Sequence, residues 1–239
     1  MSKLTIVHLY PKEMNIYGDG GNVLALSKRL EWRGIEHQVI EVGVGDEYDF
    51  TRADIIFAGG GQDKGQTVVA EDLATKADSL RAAASAGVVM LTVCGMYQLF
   101  GHGFTPAEGE RIPGIGIFDA ETVAGKERMI GNVVVDTAWG QLVGFENHSG
   151  ATMLGLNQPA LGDVRMGNGN NGQTGDEGAV TQNVYGTYLH GSLLPKNPEF
   201  ADHLLMTATQ RKFGEDYNLP QLDDHFEQLA HADATKLVQ

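Results

Sequence analysis

The sequence predicts an α/β fold with a mostly parallel central sheet and helices on both faces. Three observations carry this expectation. Short apolar runs alternate with longer stretches of helical spacing through residues 4–100. One run, Val88 to Val93 (VVMLTV), is almost wholly apolar, as a central strand covered on both faces must be. Two of the runs lead straight into glycine, at Gly59–Gly61 and at Cys94-Gly95, where a chain leaving a sheet has to turn.

Taken in order, Leu4 to Tyr10 reads as a buried strand. Residues 20–33 place Val23, Leu24, Leu26, Leu30 and Trp32 close to helical spacing, and Gly34 supplies a stop. Residues 37–42 read as a second strand and Asp54 to Ala58 as a third. An Ala-rich helix is predicted over 66–86, then the strand that ends at Cys94. Past residue 104 the rhythm changes. Segments 115–118, 128–135 and 141–147 read as strands joined by short turns. Residues 155–178, dense in Gly, Asn and Asp, read as exposed loop or hairpin. Val184 to Leu189 alternates like a strand and delivers His190, and 198–213 and 221–231 read as helices. No repeat and no clear second domain stands out. One domain over 1–239 is therefore expected, with a helical extension from about 198.

Composition narrows the function. With 31 acidic against 17 basic residues, the formal charge is −14. Such a surface repels phosphate backbones and anionic lipid, so no nucleic-acid partner and no direct membrane insertion is expected. The one cysteine can form neither an internal disulfide nor a Cys-rich zinc site. The opening MSKLTIVHLY lacks the apolar core of a signal peptide, and no run reaches the ~18 apolar residues of a spanning helix. A cytoplasmic protein is the expectation.

Chemistry is expected at the carboxyl ends of the strands, where ligands bind in parallel sheets. Cys94 stops a strand and a helical pattern begins directly after it, which is the setting of a nucleophile elbow. Gly95 lets the backbone turn, and its N–H can face a developing oxyanion. A base for the thiol must come from elsewhere in the chain. His190, in YLHGS, and His148, in FENHSG, both qualify, and residue patterns alone do not separate them. Gly59–Gly61 can bring a second oxyanion donor opposite Cys94, or can be a plain turn. Asp19, in YGDGGN, can orient a histidine or cap a helix. Arg128 can clamp a substrate carboxylate or lie exposed on a strand edge. Gly167, Gly169 and Gly172 spell GxGxxG, but no helix pattern follows, and Gly59–Gly61 lacks the Lys-Ser/Thr of a P-loop. No nucleotide site, metal site or cofactor is expected.

Together, GGG after the third strand, CGMYQ on the elbow and the late YLHG resemble the glutamine amidotransferases of the cobyric acid synthase type. The phrases HLYPKEMNIYGDGGN, GFENHSG and YGTYLHGSLLPKNP narrow the resemblance to the GatD-type glutaminase subunits of bacterial lipid II isoglutaminyl synthase. The resemblance spans at least residues 4–213 and implies a class I glutaminase domain over the chain. It implies that Cys94 attacks the side-chain amide of L-glutamine, with His190 rather than His148 as the base. Gly60 and Gly95 are then the oxyanion donors, Arg128 binds the substrate, and Gln98 lines its pocket. It further implies a MurT-type, Mur-ligase-like ATP-dependent partner in a heterodimer. That partner handles lipid II, so the subunit is peripheral to the membrane only through the complex. A cobyrinate-type synthetase as acceptor, or a cysteine hydrolase on the same scaffold, are the competing readings. One departure stands out. Many class I members carry Glu two residues after the histidine, and here the position is Ser192. Asp19 is the candidate to complete the triad in its place.

Overall fold

The computed structural model describes residues 3–61 and 63–236. Along the chain run β1 (Leu4–Leu9), α1 (Gly21–Trp32), β2 (His37–Val42), β3 (Ile55–Ala58), α2 (Asp63–Ser85), β4 (Val89–Val93), α3 (Gly95–Phe100), β5 (Gly103–Thr105), β6 (Ile112–Pro113), β7 (Ala120–Thr137), β8 (Gly140–Leu154), β9 (Gly162–Met166), β10 (Asp176–Glu177), β11 (Ala179–Thr181), β12 (Val184–Thr187), α4 (Pro198–Phe213) and α5 (His225–Lys236).

The first sheet has the order β2-β1-β3-β4-β12-β11, parallel throughout except for β11. Every residue of β1, β3, β4 and β12 is buried, which is why these runs read as continuously apolar. The chain leaves β1 outward to β2, then crosses back to β3 and onward to β4. Right-handed crossovers in opposite directions put α1 and α2 on opposite faces. Packing agrees, with α1 against α4 and α2 against α3. Strand order reverses between β1 and β3, the kind of switch point beyond whose strand ends parallel sheets bind ligands. The loops after β1, β3, β4 and β12 all lie along that edge.

A second sheet, β10-β9-β7-β5-β6 with β8 paired to β7, is mostly antiparallel. The segments 128–135 and 141–147 are the middles of its long β7–β8 hairpin, which carries a bulge between Ala124 and Met129. Residues 115–118 are not a strand. Their N–H groups are taken by the carbonyls at the end of α3: Ile115 by Leu99 (2.8 Å), Ile117 by Phe100 (2.8 Å) and Phe118 by Phe100 (3.0 Å). Helix ends leave carbonyls unpaired, and a following segment can satisfy them without forming a ladder. The apolar signal there marks Ile115 and Phe118 entering the core.

Residues 155–178 hold more order than their composition suggests. Asn170 acts as a surrogate strand, accepting from Gly178 N–H at Oδ1 and donating to Gly178 O, each at 3.0 Å. Asn170, Asn171 and Glu177 are buried in consequence. At the C-terminus, Phe200, Ala201, Leu204, Leu205 and Ala208 bury one face of α4, whereas α5 buries no residue. α5 also begins later than the apolar spacing predicts. Arg29, itself buried, donates to Asp224 (2.6 and 2.9 Å) and to Asp202 (2.7 Å), which straps the chain before α5 onto α1. Among the described residues no helix is long and apolar enough to cross a membrane.

Candidate active site

Cys94 sits between β4 and α3 with φ 50° and ψ −108°. Gly95 was the residue expected to make the turn, but the cysteine makes it and Gly95 is already helical. Non-glycine residues in such sparsely populated conformations cost about 1–3 kcal/mol each, and persist where surroundings over-determine them. Here the surroundings are explicit. Cys94 N–H donates to Thr187 O on β12 (2.8 Å), and Cys94 O accepts from Gln98 N–H (3.0 Å), starting the helix. The side chain is held up at the strand edge, 8% exposed. As the first residue of α3, Gly95 has an N–H with no carbonyl one turn earlier to bond.

His190 follows β12 and bridges β8 through its backbone, its N–H donating to Phe145 O at 2.7 Å. The imidazole is fully buried. Nδ1 lies 3.2 and 3.3 Å from the two carboxylate oxygens of Asp19, while Nε2 has no hydrogen-bond partner among the described residues. Burial alone pulls the imidazolium toward deprotonation. The negative charges of Cys94 and Asp19 outweigh it and push the histidine up to about 10. The site thus favours an imidazolium beside the sulfur.

Asp19 comes from the loop after β1, directly past a 3-10 turn at Ile16–Gly18, and is buried. Its Oδ2 accepts Gly60 N–H at 2.8 Å. That N–H was expected to face an oxyanion, and the structure gives it the carboxylate as partner instead. Gly60 is still wedged in the centre of the site. A Cβ there would lie 2.6 Å from His190 Cε1, 3.1 Å from Cys94 Cβ and 3.3 Å from Asp19 Oδ2, so only glycine fits. Ser192, at the position where a glutamate is common, donates from Oγ to Gly18 O (2.8 Å) and so pins the loop that carries Asp19.

The other predicted residues fall around this centre. Arg128, exposed at the β7 bulge, donates from Nε to Asn147 Oδ1 at 2.5 Å. Asn147 Nδ2 donates to Tyr17 Oη, also at 2.5 Å, and the Tyr17 ring stands edge-on to His190 at 5.0 Å. Gln98, buried one turn after Cys94, donates to Tyr188 Oη at 3.1 Å. His148 is stacked flat on Tyr188 at 3.5 Å, with Nδ1 2.8 Å from Gly150 O and Nε2 facing Glu146 at 3.9 Å. Of the two histidines, His190 is the one that packs with Cys94 and Asp19 around Gly60.

Sequence reasoning missed Tyr17, Asn147 and Glu177 as individual residues. The first two lie inside the phrases YGDGGN and GFENHSG, and only proximity reveals their link. Glu177 is buried, and its Oε1 accepts from Thr187 Oγ1 (2.5 Å) and Tyr188 N–H (2.8 Å). Burial pushes its carboxyl up to about 7 against the pull of those hydrogen bonds. It anchors the strand end that receives Cys94 N–H and delivers His190. The Gly-x-Gly-x-x-Gly run also has a structural use, since Gly169 N–H donates to buried Glu146 at 2.9 Å.

Residues 5–198 match the CobB/CobQ-like glutamine amidotransferase domain, a span that contains Asp19, Gly60, Cys94 and His190. The chain belongs to the CobB/CobQ-like glutamine amidotransferase family. Within it, the chain is 39% identical over 228 residues to the GatD subunit of the glutamine-hydrolysing lipid II isoglutaminyl synthase of Streptococcus pneumoniae, across 93% of this chain and 86% of that one. The corresponding subunit of Staphylococcus aureus is 38% identical over 213 residues, across 89% and 87%. A probable cobyric acid synthase of Methanococcus maripaludis is 30% identical, but over 63% of this chain and only 32% of its own. Solved structures support the amidotransferase fold. A glutamine amidotransferase superposes with a TM-score of 0.56 at 13% identity, over 84% of this chain and 98% of the other. The glutaminase domain of Trypanosoma brucei CTPS with bound acivicin gives 0.56 at 12%, over 92% and 97%. The motif resemblance and the α/β amidotransferase fold expected from it are borne out.

Proposed function

We propose that this glutamine amidotransferase is the glutaminase subunit of a lipid II isoglutaminyl synthase and hydrolyses L-glutamine through a Cys94 thioester. The observation that carries the chemistry is His190, fixed at Nδ1 by Asp19 with Nε2 left over and charge-coupled to Cys94. The Cys94 sulfur attacks the side-chain amide carbon. The oxyanion that forms is received by Gly95 N–H at the start of α3. His190 gives its Nε2 proton to the departing nitrogen, ammonia leaves, and a glutamyl thioester remains. Water then attacks the thioester, its proton passes to His190, and glutamate departs as the thiolate reforms. Asp19 holds the imidazole in the tautomer this needs. Gly60 fixes Asp19 through its N–H and leaves room for the imidazole. Arg128 binds the α-carboxylate of glutamine, and Gln98 shapes the floor of the pocket.

The ammonia passes to a MurT-type, Mur-ligase-like ATP-dependent partner in a heterodimer. That partner activates the α-carboxylate of D-glutamate in lipid II, and ammonia converts it to D-isoglutamine. The chain works in the cytoplasm and meets the membrane only through this complex. Near full-length similarity to the GatD subunits, against about a third of a cobyric acid synthase, supports lipid II over a corrinoid acceptor. Reconstitution with the ligase subunit tests the reading. Lipid II amidation should require both chains, ATP and glutamine, and Cys94→Ala should abolish it while ammonium salt restores it. Amidation by Cys94→Ala with glutamine as the nitrogen source would overturn it.

A further inference from the structure

The side chains of Arg128, Asn147, Tyr17 and His190 form a single file from the rim of the site to its base. Arg128 Nε donates to Asn147 Oδ1, and Asn147 Nδ2 donates to Tyr17 Oη, each at 2.5 Å. The Tyr17 ring meets the imidazole edge-on, with centroids 5.0 Å apart and planes at 68°. Tyr17 is an unusual residue for its place. Its backbone is left-handed, with φ 60° and ψ 18°, a conformation that a bulky side chain adopts only when the surroundings impose it. Two residues on, Asp19 grips Nδ1 of the same histidine. His190 is fully buried, yet Tyr17 is 43% exposed. The tyrosine is therefore the layer between the histidine and solvent.

The other end of the file suits a substrate. Arg128 uses Nε for Asn147, which leaves the two terminal nitrogens of its fork for a bidentate carboxylate. It stands at the one bulge of the β7–β8 hairpin, where the ladder does not fix the backbone. An exposed arginine on a bulge has many rotamers, and a bound carboxylate would select one of them.

We propose that Tyr17 and Asn147 are positioning residues that couple the occupancy of Arg128 to His190. A carboxylate on Arg128 fixes the guanidinium, the guanidinium fixes Asn147, and Asn147 holds the Tyr17 ring closed over the imidazole. The structure shows this file closed over a fully buried imidazole, and a carboxylate on Arg128 stabilises that arrangement, so the file is a specificity device for amino-acid amides. This rests on the assignment of Arg128 as the carboxylate site and of Cys94 and His190 as the reacting pair.

The experiment compares wild type, Tyr17→Phe, Arg128→Ala and the double variant, each in complex with the ligase subunit. Phenylalanine keeps the ring on His190 and cuts only the link to Asn147. Two rates are read: kcat/KM for L-glutamine, and alkylation of Cys94 by iodoacetamide, an amide without an α-carboxylate. Tyr17→Phe should lower kcat/KM about tenfold, the size of one hydrogen bond to a charge-linked group, while alkylation stays within about twofold of wild type. In the double variant kcat/KM should match Arg128→Ala within about twofold, because the two changes break one path. Multiplicative losses, or alkylation falling in step with kcat/KM, would overturn the coupling alone. A wild-type complex that releases no ammonia from glutamine would overturn the coupling together with the function it rests on.

Discussion

Asp19 and His190 are 171 residues apart in the chain, and the carboxylate of one lies 3.2 Å from Nδ1 of the other in a pocket closed to solvent. The contact exists because β1 and β12 belong to one parallel sheet and end at the same edge. Ser192 stands where a glutamate is common in this class, and it bonds the loop that carries Asp19 rather than the histidine. The carboxylate beside the imidazole comes from the loop after β1.

Asp19→Asn therefore leaves the fold intact and lowers turnover. An asparagine can still accept Gly60 N–H, but it neither fixes the imidazole tautomer nor supports its charge. Loss of the orienting carboxylate in a triad costs on the order of 10²–10⁴ in kcat. Steady-state glutaminase kinetics beside an unchanged far-UV spectrum check this, and wild-type turnover would remove Asp19 from the catalytic group.

Gly60→Ala tests how tightly the centre is built. The added methyl would lie 2.6 Å from His190 Cε1, so the imidazole has to move. A displacement of ~1 Å at a reacting group costs about a hundredfold, and kcat should fall by that order while thermal stability changes far less. The ratio of kcat between the two proteins is the readout.

The protonation of His190 gives a third test. Burial lowers its pKa, but Cys94 and then Asp19 outweigh burial and push it up to about 10. Cys94→Ala removes the larger upward contribution, so the imidazole should titrate at lower pH in that variant. The sign for stability follows. A histidine raised above its ordinary 6.5 contributes fully below that pH, and the contribution is lost as pH rises through about 10. Histidine ring resonances followed by NMR across pH 5–11 in both proteins measure the shift, and an unchanged titration would show that the sulfur does not set it.

Glu177 predicts a pH dependence of the opposite kind of group. Burial raises its carboxyl from 4.5 to about 7, so the folded state prefers the protonated form. Its contribution is present below the unfolded value and is lost as pH climbs through about 7. Glu177→Gln keeps an oxygen for Thr187 and Tyr188 and removes the ionisation. The melting temperature of wild type should fall relative to the variant between pH 5 and 8.5. Parallel curves would contradict the burial account.

The centre of the first sheet was readable because β1, β3, β4 and β12 are covered on both faces and leave largely apolar runs, as in Val89–Val93. Cys94 was readable for the same reason, as the residue where such a run meets a glycine. In 155–178 the hairpin was readable, since β9 pairs antiparallel with β10, but the burial of Asn170, Asn171 and Glu177 was not, because that order comes from side chains. Asn170 completes backbone pairs that no periodicity records. Residues 115–118 looked like a strand because apolar content does not tell a ladder from N–H groups bonded to a helix end. The choice between His190 and His148 could not come from residue patterns, since both precede small residues near a strand. His190 packs with Cys94 and Asp19 around Gly60, and that closeness supports it as the base. The same holds for Tyr17 and Asn147, whose roles depend on a contact between segments 130 residues apart.

The central claim is that Cys94 carries the hydrolysis of glutamine. Ammonia and glutamate released from L-glutamine by the chain in complex with its ligase subunit, for wild type and Cys94→Ala side by side, test it most directly. Wild type should release the two products in equal amounts, and Cys94→Ala should fall to the background of the assay. Release by Cys94→Ala at the wild-type rate would contradict the account.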